Sequence, residues 1–297
     1  MSRLKNITIA LIPVFLIFQE ILFSQSRFEN ALRPIILGFA APYHYALLTR
    51  LLLSEVAIFL CILLPLAYFI IKDAVKKDRI YALLRYLIIV RYIFTMPFLL
   101  LGYIFLKNDE RDVYSHIMLA GGVVFLFISI VLWKNKPLSW VSKINLSDFI
   151  IPGYPNKTVR LLHYFVDWLF FLSLCVGWEY WISDFSEREA MMNFVIIIMP
   201  AIFYFVYYQF SEAMFRQTLG KMLTRTCIAG NQKPISRRLV SLRTFSRLIP
   251  LEPLSYLTGV NLHDKLSDTA VVYIDSLKNS IFEDEHPINE PSNQPLL

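Results

Sequence analysis

The chain has 297 residues, of which 56% are hydrophobic and 15% aromatic, and it carries a net charge of +6. Charged residues make up only 18% of the chain and lie between long apolar runs, whereas a soluble domain has about 25%. These features exclude an ordinary soluble domain and predict an all-α polytopic membrane protein. The positive charge follows from basic loops next to a membrane, so it does not indicate a nucleic-acid partner.

Several apolar runs reach the roughly 20 residues that a helix needs to cross a bilayer. We predict six transmembrane helices, at residues 6–23, 45–71, 80–106, 113–133, 160–182 and 191–210. The first has a rival interpretation, because the basic start and apolar core of residues 1–25 also allow a cleaved signal peptide. Lys and Arg are concentrated in the connections on one side of this layout, which predicts that both termini are cytoplasmic.

Composition divides the chain into four parts. They are an N-terminal four-helix membrane unit (1–133), a cytoplasmic linker (134–157), a second membrane domain (158–274) and an acidic tail (275–297). The tail is rich in Pro and Asn and is predicted to be disordered.

The segment LIPLEPLSYL at 248–257 is a special case within the second domain. It is too short to cross a bilayer as a helix, and Pro250 and Pro253 would interrupt it. We therefore expect a re-entrant or interfacial element in addition to the six helices.

Asp167 interrupts the apolar run VRLLHYFVDWLFFLSL at 159–174. A carboxylate near the centre of a membrane helix costs about 2.5–3.5 kcal/mol on insertion scales. On a helix, Arg160, His163 and Asp167 share one face, so His163 is the expected partner of Asp167. Three interpretations stay open: a polar node that ties helices together, an ion or proton carboxylate with His163 as a relay, and a docking site for a partner's polar group.

Three further charges lie within predicted spans of the N-terminal unit. They are Glu55 in the second span and Arg85 and Arg91 in the third. An ion pair between Glu55 and either arginine would lower the cost of placing both charges in the membrane.

Five motifs occur in a fixed order in the last two fifths of the chain. They are RLLHYFVD (160–167), EAMFRQTLGK (212–221), GNQKPIS (230–236), RTFSRLIPLEPLSYL (243–257) and HDKLSDTAVV (263–272). Over about residues 157–274, this combination resembles the RDD family of bacterial membrane proteins. The resemblance assigns the arginine and two aspartates of the family name to Arg160, Asp167 and Asp264. It also implies several membrane spans and, from family members linked to sodium or proton exchange, a role in transport.

The residues after the sixth predicted span suggest local roles. Gly220 can end or redirect a helix there, and Lys221 can extend toward lipid headgroups. The surrounding TLGK lacks the upstream glycine and the hydroxyl residue of a phosphate-binding loop. Glu212 could pair with Arg216 or Arg160, or could be a solvated residue at the interface.

The HDKLSDTAVV motif combines a polar turn with a β-favouring end. We expect Asp264 to pair with an arginine such as Arg243 or Arg247, which makes the motif, including His263, structural. No nucleophile or metalloprotease motif accompanies this histidine, so we expect no enzyme activity. Three widely spaced cysteines predict neither a disulfide framework nor a metal site.

These observations lead to a prediction of function. We expect a multi-pass protein of the bacterial inner (cytoplasmic) membrane that transports small cations or solutes, in particular by cation/proton exchange. The alternative is a non-enzymatic scaffold or assembly factor that binds a partner protein. The expected partners are the lipid bilayer and either a membrane protein or further copies of the chain, with no nucleic acid, cofactor or metal.

Overall fold

The structure is a computed structural model that describes residues 3–17, 42–105, 113–136, 153–175, 189–230, 235–247 and 262–274. In chain order, the described elements are α1 (3–17), α2 (Pro42–Ile70), α3 (Ala74–Phe105), α4 (Val113–Lys134), α5 (Lys157–Leu174), α6 (Glu189–Phe215), α7 (Leu219–Leu223), β1 (Thr226–Gly230), α8 (Arg237–Ser246), α9 (Leu262–Leu266) and β2 (Thr269–Tyr273). Much of the predicted linker, the segment 248–257 and the acidic tail lie outside the described residues.

Helices dominate the described chain, as the sequence predicts. Two segments in these ranges, Leu51–Ile70 and Ala74–Pro97, are long and apolar enough to cross a bilayer. Helix α5 exposes Phe165 and Trp168 while it buries Asp167, an arrangement that suits a lipid environment better than water. The predicted total of six spans stays a prediction.

The described chain is mostly helical, as predicted, but its C-terminal part also contains a small sheet that an all-α fold does not include. Strands β1 and β2 pair antiparallel, with Thr226 opposite Tyr273 and Gly230 opposite Thr269. The β-branched sequence TAVVY of β2 explains its conformation. Strand β1 is buried along its whole length, and Cys227 and Ala229 form an apolar cluster with Val272 of β2.

The chain divides into two compact units. Unit 1 comprises Met1–Trp140 and Tyr164–Ser211, and unit 2 comprises Val141–His163 and Glu212–Leu297. The boundaries between the units fall within α5 and α6. The boundaries predicted from composition lie instead at the two ends of the linker 134–157.

In unit 1, α3 packs against α2 and α4. Arg85 of α3 is 1% exposed, and its Nε and Nη2 atoms donate to the backbone oxygens of Leu132 (2.7 Å) and Trp133 (3.2 Å). These carbonyls belong to the last turn of α4, whose oxygens have no partner within the helix. Arg85 therefore acts as a cap that joins two helices.

The other intramembrane charges have different surroundings. Arg91 donates through Nη1 to the hydroxyl of Ser54 at 3.2 Å. Glu55, the next residue along α2, is half-buried. An ion pair between Glu55 and Arg85 or Arg91 stays a prediction, whereas the contacts of Arg85 with the end of α4 were not expected from the sequence.

Unit 2 contains the short helices α7, α8 and α9 and both strands, and a left-handed residue follows the end of α6, of α7 and of α9. Arg216, Arg225 and Asp268 have φ values of 58°, 58° and 48°. They follow α6, α7 and α9, at positions where a left-handed residue satisfies the final carbonyls of a helix. These sharp ends redirect the chain within a few residues and leave β1 and β2 adjacent.

Candidate functional site

Asp167 lies on α5 in unit 1 and is only 2% exposed. The Tyr207 hydroxyl on α6 donates a hydrogen bond to Asp167 Oδ1 at 3.1 Å. Aromatic rings surround this contact, including Phe170 and Phe171, whose centroids lie 6.0 and 6.4 Å from that of Tyr207. The carboxyl group is thus held in an apolar, low-dielectric environment, where each hydrogen bond is stronger than in water.

A chain of hydroxyl groups leads to Asp167. The Tyr86 hydroxyl donates to the Tyr207 oxygen at 3.2 Å and lies 2.9 Å from Ser211 Oγ. Because each hydroxyl has one hydrogen, Tyr86 accepts from Ser211 when it donates to Tyr207. The direction of donation therefore runs from Ser211 through Tyr86 and Tyr207 to Asp167. All three hydroxyl residues are at most 3% exposed.

Glu212 lies in unit 2 and has a very different environment. Its side chain is completely buried, and its Oε1 atom accepts from Lys221 Nζ at 2.5 Å and from Arg247 Nη2 at 2.6 Å. Its Oε2 atom lies 3.2 Å from Nε of Arg243, which is also fully buried. One carboxylate therefore organises three cations that would be very costly to bury alone.

Asp264 is the second carboxylate of a buried ion cluster. The cluster comprises Glu212, Asp264, Arg160, Lys221, Arg243 and Arg247. Its Oδ2 atom accepts from Arg160 Nη1 at 2.8 Å, and its Oδ1 atom accepts from Arg243 Nη1. Arg243 Nη1 also donates to Thr269 Oγ1 at 2.7 Å, while His263 Nε2 lies 3.4 Å from Asp264 Oδ1. Arg243 thus contacts both carboxylates and links the start of β2 to α6.

The electrostatics of the cluster favour a permanently charged state. Burial alone would raise the pKa of Glu212, but the charges of Arg247, Lys221 and Arg243 outweigh it and hold that pKa well below the usual range. Burial also opposes ionisation of Asp264, yet Arg243, His263 and Arg160 lower its pKa. Both carboxylates are therefore ionised throughout the physiological pH range.

His163 lies where α5 approaches α7 in unit 2. Its Nε2 atom is 2.5 Å from Thr224 Oγ1 and 3.2 Å from Thr226 Oγ1. Gly220 is so close to His163 that an added Cβ would lie 2.6 Å from its backbone oxygen and 2.7 Å from its Cα. Only a glycine allows this approach of two backbones.

Several sequence-based pairings can now be assessed. The pairing of Asp264 with Arg243 is confirmed, and Arg160 is a second partner. The solvated interpretation of Glu212 is wrong, because three cations surround its buried carboxylate. Lys221 does not extend toward headgroups, since it is 3% exposed and bonded to Glu212.

Two further expectations need correction. The polar partner seen for Asp167 is Tyr207 rather than His163, whose ring is held by threonine hydroxyls. Gly220 does not end a helix, because it lies inside α7 and is required by close packing.

Three residues that contact one another beside Asp167 were not predicted from the sequence: Tyr86, Tyr207 and Ser211. Tyr207 and Ser211 lie one turn apart on α6, so helical spacing could have placed their hydroxyls on a common face. Tyr86 lies more than a hundred residues earlier, and no local pattern connects it to α6. Within the described ranges, no three His, Cys, Asp or Glu side chains form a group suited to a metal ion.

The predominance of apolar helices and the inward-facing charges point to a helical membrane protein. A family model described as RDD family matches residues 154–282. This match confirms the resemblance of the C-terminal part of the chain to the RDD family, which its motifs indicate. No curated protein and no solved structure shows significant similarity to the chain.

Proposed function

We propose that the protein is a non-enzymatic cation/proton exchanger of the bacterial inner membrane and that Asp167 carries the proton. The observation that supports this proposal is the hydroxyl chain from Ser211 through Tyr86 and Tyr207 to the buried Asp167 carboxyl group. Hydroxyl groups both donate and accept, so a connected series of them can pass a proton. A buried carboxylate in a membrane helix is a common element of such proton paths.

The ion cluster of unit 2 suits a supporting role in this proposal. Its carboxylates are engaged by cations, so neither Glu212 nor Asp264 is available to bind a transported cation or to exchange protons near neutral pH. The cluster instead holds β2, α7 and α8 in place through contacts with Arg243 and Lys221. Cation binding and proton binding are therefore assigned to unit 1, with Asp167 as the titrating group.

A direct test is exchange in proteoliposomes with a luminal pH indicator. Sodium, lithium or potassium gradients are imposed on wild type and on Asp167→Asn, with folding verified by gel filtration and thermal unfolding. We expect one of the three cations to drive proton movement in wild type and Asp167→Asn to abolish it. The matched control is Ser129→Ala, which removes another buried hydroxyl of unit 1 and should leave the rate unchanged.

A scaffold function is the second candidate, and one specific observation favours it. Asp167 is 2% exposed and bonded to Tyr207, as expected for a fixed polar node between helices. Absence of cation-driven proton movement in folded wild type and in Asp167→Asn would contradict exchange. In-membrane crosslinking of the full chain to a partner protein would then test the scaffold function.

A further inference from the structure

Helix α8 has an inverted distribution of polar and apolar side chains. Arg243 is fully buried, and Arg247 directly after the helix is 5% exposed. By contrast, Leu242 is 44% exposed and Phe245 is 58% exposed. A helix on the surface of a water-soluble domain shows the opposite distribution.

The inward arginines are explained by unit 2 itself, since they bind Glu212 and Asp264. Leu242 and Phe245, by contrast, present much of their apolar surface to the outside. Arg238, Leu242 and Phe245 follow one another at intervals of four and three residues, so they share one face of α8. This face begins with a charge and continues with two large apolar groups.

The start of α8 adds a second exposed cation. Arg237 and Arg238 are both exposed, and Ser236 precedes them as the N-cap residue by accepting a hydrogen bond from the Leu239 amide. No acidic residue lies in the first turn of the helix. The exposed surface therefore has two arginines at one end and an apolar patch at the other. Both kinds of side chain can contact a membrane interface, where arginines bind lipid phosphates and apolar groups enter the acyl boundary.

We propose that α8 docks on an anionic lipid leaflet through the surface formed by Arg237, Arg238, Leu242 and Phe245. Leu242 and Phe245 enter the boundary between headgroups and acyl chains, and the two arginines bind lipid phosphates. Lipid is the favoured ligand of this surface for two reasons. The chain has two helices that are long and apolar enough to cross a bilayer, and the exposed arginines carry a charge opposite to that of an anionic leaflet. The inference concerns lipid contact alone and does not depend on cation/proton exchange.

The first test measures the depth of α8 in the bilayer with the full-length protein. A bimane label is attached to Phe245→Cys in a background without the three buried native cysteines, and vesicles contain phosphatidylcholine or phosphatidylglycerol with brominated acyl chains. We expect bromine to quench the label at position 245. The control is the same label on Lys72→Cys, an exposed position between α2 and α3 and outside both apolar segments, where quenching should be weak.

The second test measures the anionic preference. We expect brominated phosphatidylglycerol to quench the position-245 label several-fold more strongly than brominated phosphatidylcholine. Each basic residue near an anionic leaflet favours binding by about 1 kcal/mol, which corresponds to roughly fivefold, so the double change Arg237→Gln and Arg238→Gln should remove the preference. Lysine at both positions should retain it, and thermal unfolding confirms that each variant is folded.

Three results would overturn the proposal. Quenching at position 245 no stronger than at position 72 would contradict docking on lipid. Equal quenching by both lipids in wild type would contradict anionic recognition. Dipolar coupling between spin labels at position 245 would assign the surface to a second copy of the chain.

Discussion

Two buried carboxylates differ sharply in their surroundings. Glu212 in unit 2 faces three cations at distances of 2.5 to 3.2 Å, whereas Asp167 in unit 1 accepts from the neutral phenol of Tyr207 at 3.1 Å. Both are at most 2% exposed. Burial alone therefore does not determine whether a carboxylate stays ionised. The charge of the neighbouring groups also decides its protonation state.

This difference is the basis for proposing a structural role for Glu212 and a proton-carrying role for Asp167. A carboxylate among three cations stays ionised and fixes the elements that carry them. A carboxylate at the end of a hydroxyl chain has neighbours that can pass a proton to it. Substitutions and changes of pH that affect the two carboxylates differently can therefore distinguish the two roles.

Removing the Glu212 charge should cause the largest loss of stability. In Glu212→Gln, three buried cations lose their common counter-charge, and breaking a buried pair costs about 3–5 kcal/mol. Thermal unfolding in detergent would measure the loss. The matched control is Asp73→Asn, which changes an exposed carboxylate that accepts from the amides of Val75 and Lys76.

Asparagine caps a helix as well as aspartate does, so the control should unfold close to the wild-type temperature. Equal stability of Glu212→Gln and wild type would contradict a structural role for the ion cluster.

Acid should destabilise unit 2 only at low pH. The folded-state pKa values of Glu212 and Asp264 are depressed, so their contribution is complete above the unfolded values of about 4 and is lost as pH falls toward the folded values. We expect the contribution of Glu212 and Asp264 to the stability of unit 2 to be constant from pH 7 to 5 and to fall by an amount on the order of 2–3 kcal/mol below pH 4. Hydrogen exchange of β1 and β2 amides would localise the loss, and a decline between pH 7 and 5 would contradict this assignment.

Gly220→Ala should strain the contact between α7 and α5. The new Cβ would lie 2.6 Å from the backbone oxygen of His163, and such overpacking costs about 1–3 kcal/mol. Gly121→Ala is the control, because its Cβ would meet Phe15 at an ordinary 3.5 Å. Unfolding temperatures should separate the two variants, and equal tolerance would show that the close approach is unnecessary.

Tyr207→Phe should have the smallest effect on stability. It removes a hydroxyl that donates to Asp167 and accepts from Tyr86, and one hydrogen bond contributes about 1 kcal/mol. The same variant should slow proton movement in liposomes roughly fivefold or more. A variant with unchanged proton movement would exclude Tyr207 from the path.

The sequence predicted the helical membrane class and the family from local features, namely apolar runs and ordered motifs. It also predicted the pairing of Asp264 with arginine, because a buried charge needs a counter-charge. It did not predict the sheet, since β1 is a short run that acquires its conformation by pairing with β2 forty residues later.

The carboxylate partners illustrate the same limit. Helical spacing proposed His163 for Asp167 because both lie on α5, but tertiary contacts supply Tyr207 from α6 and, through it, Tyr86 from α3. Similarly, the sequence suggests Arg216 or Arg160 as a partner of Glu212. In the structure, Lys221 and Arg247 bind Glu212, because sharp turns fold the chain back. Such contacts depend on the fold and not on sequence spacing.

The most direct test of the contrast is infrared spectroscopy of the protein in lipid, with ¹³C-labelled carboxyl groups on aspartate in one sample and on glutamate in a second. As the pH is lowered from 8 to about 5, we expect a protonated aspartate band that is absent from Asp167→Asn. We expect Glu212→Gln to remove no protonated glutamate band, because three cations keep Glu212 ionised. A spectrum unchanged by Asp167→Asn would contradict proton binding at Asp167 and would leave both buried carboxylates as structural groups.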